Sequence, residues 1–217
     1  MLREYFTQDL FTGLILVCLL LLVATRQLFT TRFNDFLSVT YNIKYLKLYA
    51  RERKEFDFFN ILLFANFIIS AGIFSFLILK NLITQTFEVY SVLPSIVLVF
   101  IIILILKSFL ERVVGYYFEF LDLVKIYLLH KNSFKYISGL ILVLINILLL
   151  FSDLDKKLTI YVSLSLLFLI NLSGFIRFLK PYQKEVIHNF FYFLLYLCAL
   201  EIGPYVILYK VFKDYFG

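Results

Sequence analysis

Six apolar runs, joined by segments of which every second one is rich in positive charge, constrain this chain more than any other feature. The runs cover residues 10–25, 58–79, 89–106, 136–151, 158–176 and 190–209. A helix rises 1.5 Å per residue, so about 20 apolar residues cross the roughly 30 Å hydrocarbon layer of a bilayer. The first run is short, but Tyr5 and Phe6 suit the interface before it and Arg26 can snorkel after it. The runs are continuous rather than alternating, which argues against a membrane β-barrel. The expected fold class is therefore all-α, an integral membrane bundle of about six transmembrane helices forming a single polytopic domain over residues 1–217.

The charges give this bundle an orientation. Of the 21 Lys and Arg residues, seven follow the first run, five follow the third and three follow the fifth, leaving six on the opposite side. Lys and Arg concentrate in cytoplasmic segments, so these three segments are expected inside and both termini on the non-cytoplasmic side. The net charge of +6 flanks membrane spans, which points to anionic lipid headgroups and the lipid bilayer as partners and not to nucleic acid. The first run ends in Val23-Ala-Thr-Arg-Gln27 without a small-residue cleavage pattern. It is expected to be a retained span and not a secretory signal.

Two of the basic segments have an apolar face of their own. In 110–131, Leu110, Val113, Val114, Tyr117, Phe120, Leu121, Val124 and Leu128 recur at helical spacing, with Glu119, Asp122 and Lys125 between them. A charge of the Asp or Lys type costs about 2.5–3.5 kcal/mol at the centre of the bilayer. An interfacial helix that extends the third span, bending near Gly115, avoids this cost. In 28–57, Phe29, Phe33, Phe36 and Leu37 precede the basic surface of Lys44, Lys47, Arg51, Arg53 and Lys54. One reading makes that surface a docking site for a partner or for lipid phosphate. The plainer one makes it a solvated juxtamembrane helix that only orients the chain.

Chemistry has few places to sit. Glu201 falls inside the last apolar run, roughly 16 Å along a continuous helix from its start, with Cys198 three residues before it and Tyr205 four after it. An intramembrane carboxylate faces the bundle interior, binds a proton or pairs with a partner. Pro204 lacks an N–H and frees the carbonyl of Leu200, adding local polarity of the kind ion pathways use. The alternative is that Gly203-Pro204 ends the helix and leaves Glu201 near the outer interface. Asn66, Asn146 and Asn171 are the other intramembrane polar candidates. Asn66 shares a face with Ser70, while Asn146 and Asn171 are the residues best placed to meet Glu201. Such amides more often join helices, at about 0.6 kcal/mol each.

Cys18 and Cys198 lie singly within apolar runs and are read as packing residues. No catalytic motif, nucleotide-binding glycine pattern, metal-ligand cluster or cofactor motif is recognisable in the sequence. Catalytic and metal-binding residues and a cofactor are accordingly not expected, although the sequence leaves the question of an enzyme open.

The string Tyr45-Leu-Lys-Leu-Tyr-Ala-Arg-Glu-Arg53, together with Leu195-Tyr-Leu-Cys-Ala-Leu-Glu-Ile-Gly-Pro204 and Leu208-Tyr-Lys210, resembles a family of small multi-pass inner-membrane proteins of Bacteroidota classed as a domain of unknown function. The resemblance implies a bacterial cytoplasmic membrane and no particular activity. Three functional readings follow. The first is a non-enzymatic subunit or assembly factor of an envelope complex, with a membrane-protein partner. The second is a small proton- or ion-linked transporter centred on Glu201. The third is a membrane lipid-modifying enzyme that holds substrate phosphate at Arg51, Arg53 or Lys54.

Overall fold

The structure, a computed structural model, describes residues 2–38, 57–82, 89–117 and 121–188. Every regular element among them is helical: α1 (Leu2–Leu28), α2 (Thr30–Leu37), α3 (Phe58–Leu82), α4 (Val89–Tyr117), α5 (Leu121–Phe151) and α6 (Lys156–His188). Five stretches are long and apolar enough to cross a membrane: Asp9–Leu28, Phe58–Asn81, Val92–Val113, Tyr127–Phe151 and Lys156–Arg177. The sixth apolar run, 190–209, lies outside the described residues.

The helices start and stop where local chemistry directs them. Asp155 caps α6, its carboxylate accepting the Lys157 backbone N–H at 3.1 Å, which satisfies one of the orphan donors of the first turn. Asp57 holds the equivalent place before α3, where its carbonyl accepts the Ile61 N–H at 3.1 Å. Its carboxylate is turned instead to Arg32 on α2. Between α1 and α2 the i→i−4 bonds of Phe29 to Thr25 and Phe33 to Phe29 are kept, so α2 is nearly a continuation of α1.

Contacts between helices fix their directions. Phe11 packs on Phe76 with ring centroids 5.4 Å apart, and Cys18 lies against Ser70, so α1 runs antiparallel to α3. A Cβ on Gly139 would sit 3.0 Å from Cα of Phe67, and Asn146 reaches the Ser70 carbonyl, so α3 and α5 run parallel. Gly174 packs on Phe134 and Asn171 on Ser138, making α6 antiparallel to α5.

Helices α3 and α5 form the centre, each with 56% of its apolar span buried, against 22% for α1, 17% for α6 and 6% for α4. Two apolar clusters fill the bundle. One joins Phe11, Ile15, Phe76, Leu142 and Leu149 toward the end where α1 begins. The other joins Phe33, Phe36, Phe59, Leu63 and Phe134 toward the end where α3 and α5 begin. The outward faces of α4 and α6 carry Leu98, Ile102, Ile105, Phe109, Leu158, Val162, Phe168 and Leu169, all exposed. A water-soluble monomer rarely exposes contiguous apolar surface on this scale, whereas lipid solvates it without cost.

Within the segment 110–131, expected as an interfacial helix, the described residues belong to two helices. α4 runs unbroken through Gly115 to Tyr117, and residues from Leu121 onward belong to α5. Its two halves are thus the ends of two long helices of 29 and 31 residues, each exceeding the about 20 residues that hydrocarbon requires.

Candidate functional site

Two groups of polar side chains stand out in the described bundle, one inside it and one at its end. The inner group lies where α1, α3 and α5 meet. The Ser70 hydroxyl donates to the Asn66 carbonyl at 2.8 Å, the i−4 bond open to a serine within a helix. Cys18 Sγ lies 3.6 Å from Ser70 Oγ. Asn146 Nδ2 donates to the Ser70 carbonyl at 2.9 Å, joining α5 to α3. All four residues are buried. Among the described residues, Asn66, 1% exposed, has no hydrogen bond to either side-chain amide atom, and Asn146 Oδ1 accepts none. A buried amide without a partner is costly, so Asn66 is the residue here whose presence the packing does not explain.

Asn171 lies apart from this group. Its Nδ2 is 3.2 Å from Ser138 Oγ and 2.8 Å from the Leu167 carbonyl, while the Ser138 hydroxyl donates to the Phe134 carbonyl. This is a second link, between α6 and α5. Asn146 and Asn171, both expected near Glu201, therefore serve different helix pairs. Glu201, Tyr205, Cys198 and Pro204 lie outside the described residues, as do Lys44, Lys47, Arg51, Arg53 and Lys54.

The end group was not anticipated. Glu111 on α4 is 1% exposed and forms an ion pair with Lys131 on α5. The Lys131 ammonium also lies 5.2 Å from the centre of the Tyr127 ring, a cation–π distance. Lys107 and His130 are buried in the same region of the α4–α5 hairpin. At the neighbouring corner Arg32 pairs with Asp57 and covers the Phe59 ring at 4.8 Å. The Glu111–Lys131 pair joins the last turns of α4 to the early turns of α5, 20 residues apart in sequence. Arg32 and Asp57 are likewise distant in sequence, 25 residues apart.

Among the described residues no group of His, Cys, Asp and Glu is arranged to hold a metal ion. The inner group consists of amides, a hydroxyl and a thiol, whose main visible work is to join helices. The end group consists of opposite charges that close the hairpin and fasten α2 to α3.

Long apolar helices around a buried α3–α5 pair, with ion pairs gathered at one end, suit an all-α protein that spans a membrane several times. Within that class the chain belongs to the family described as Domain of unknown function (DUF4271), whose model matches residues 11–212. No curated protein matches it, and no solved structure does.

Proposed function

We propose that this protein is a non-enzymatic subunit or assembly factor of a bacterial envelope complex, set in the cytoplasmic membrane with its ion-paired end in the cytoplasm. The observation that carries the reading is the use made of the intramembrane polar groups. Asn146 and Asn171 bond to neighbouring helices, and Ser70, Ser133, Ser138 and Ser163 bond to carbonyls of their own helix. Such bonding rigidifies a scaffold, and the apolar faces of α4 and α6 offer surface to another membrane protein. The alternation of basic segments supports the orientation, because the described Arg26, Arg32, Lys107, Lys131, Lys135 and Arg177 belong to the end where α3 and α5 begin.

The test is purification of the chromosomally tagged protein in mild detergent, with the mass of the particle measured by light scattering. A stoichiometric membrane-protein partner is the expected result. A protein that purifies only as a monomer or homo-oligomer overturns the reading.

A second reading, a proton- or ion-linked carrier centred on Glu201, is favoured by one observation: the side-chain amide of Asn66 is buried in the bundle without a bond among the described residues. Such a group is retained where a mobile species uses it. Glu201→Gln and Asn66→Leu would then abolish function at normal protein levels. Under the scaffold reading, Asn66→Leu is neutral or stabilising, because replacing an unbonded buried amide by an apolar group of similar size removes a desolvation cost.

A further inference from the structure

From the far end of α1 we infer a binding site for one anionic phospholipid, its phosphate held by Arg26 and Gln27 and an acyl chain lying along Leu16, Leu20 and Val23. Val23, Arg26, Gln27 and Thr30 line a shallow open groove of about 280 Å³ at the junction of α1 and α2. These positions share one helix face, and that face continues back through Leu20 and Leu16 at spacings of three and four residues. Leu16, Leu20 and Val23 are each more than half exposed. The opposite face of α1, with Phe11, Ile15, Cys18 and Thr25, is buried in the bundle, so the ridge faces away from the protein.

Arg26 differs from the other cations whose side chains are described at this end. Arg32 pairs with Asp57, Lys131 with Glu111, and Lys135 reaches the Asn132 amide oxygen. Lys107, Arg112 and Arg177 are engaged as well. Among the described residues no acceptor meets the Arg26 guanidinium or the Gln27 side-chain amide. The Thr30 hydroxyl is turned to the carbonyls of Arg26 and Gln27, at 3.0 and 3.5 Å, and so closes the groove while leaving the donors to its neighbours. Arg26 stands in the last turn of α1, at the edge of the apolar span that ends at Leu28. That is headgroup depth, and a guanidinium there suits a phosphate oxygen. From Arg26 back to Leu16 the helix rises about 15 Å, half of the roughly 30 Å hydrocarbon core and hence the depth of one leaflet. A free cation, a neutral donor beside it and an apolar track one leaflet long together fit a phosphate that carries a tail, and fit a water-borne anion less well.

The test uses the full chain in vesicles of phosphatidylethanolamine and phosphatidylglycerol, reading the motionally restricted fraction of spin-labelled phosphatidylglycerol against labelled phosphatidylethanolamine. The wild type is expected to select phosphatidylglycerol. Arg26→Gln should lower that selectivity about fivefold, the effect of one basic residue at an anionic surface, and Arg26→Lys should retain part of it. Val23→Trp, which fills the groove without changing charge, should lower it too. Lys80→Gln, at the opposite end of the bundle, should leave it intact. An unchanged selectivity in Arg26→Gln makes Arg26 a solvated anchor and overturns the site. Loss in Arg26→Gln together with full selectivity in Val23→Trp assigns the effect to diffuse charge and overturns the groove. Displacement of the labelled lipid by inorganic phosphate makes it an anion site without a tail and overturns the lipid.

Discussion

A carboxylate as enclosed as Glu111 is tolerated because Lys131 stands opposite it on the next helix. Removing one member of a buried pair leaves the other charge desolvated, which costs about 3–5 kcal/mol, whereas replacing both by apolar groups is often neutral. Lys131→Met should therefore lower the unfolding free energy in bicelles by a few kcal/mol, and adding Glu111→Leu should restore most of it. Additive losses in the double variant would show that the two side chains do not depend on each other. The same logic separates Asn146 from Asn66. Asn146 spends a donor on the Ser70 carbonyl, but Asn66, one turn before Ser70 on the same helix, has its amide enclosed without a bond among the described residues. Sequence spacing marked both as intramembrane polar residues. It could not distinguish them, because the difference lies in which neighbouring helix faces each.

At the scale of the element, α3 and α5 approach each other backbone to backbone at Gly139. Gly139 lies with its Cα hydrogen toward the Phe67 backbone, and a Cβ there would come within 3.0 Å of Phe67 Cα. Backbone cannot yield as a flexible side chain can, and over-packing costs about 1–3 kcal/mol. Gly139→Ala is expected to destabilise the bundle by an amount in that range, read as a lowered melting temperature in detergent. Gly13→Ala, where an added Cβ meets nothing, is the matched control and should be neutral or slightly stabilising. A glycine within an apolar run carries no sign of which helix will approach it.

For the whole molecule, the ordering of burial is the main result. α3 and α5 are enclosed, α1 and α6 flank them, and α4 lies at the periphery. Spin labels at Ile102 on α4 and Phe168 on α6, both exposed, should be readily accessible to oxygen dissolved in the bilayer. Labels at Ile73 on α3 and Val143 on α5, both buried, should be shielded. Equal accessibility of the four sites would contradict this arrangement. In an intact complex of the kind proposed, protection of Ile102 or Phe168 would identify the docking face.

The apolar runs by themselves determined that the chain forms long helices suited to lipid, because a continuous run of that length has few other ways to satisfy its backbone. The spacing of Lys and Arg also made one end of the bundle basic, which follows from counting residues between spans. Tertiary structure alone decided the rest: that α3 and α5 are central, that Glu111 meets Lys131 and Arg32 meets Asp57, and that Arg26 meets no acceptor among the described residues. Those outcomes depend on which face each helix turns to its neighbours. Helices that are apolar on nearly every side carry little periodicity from which to read that face.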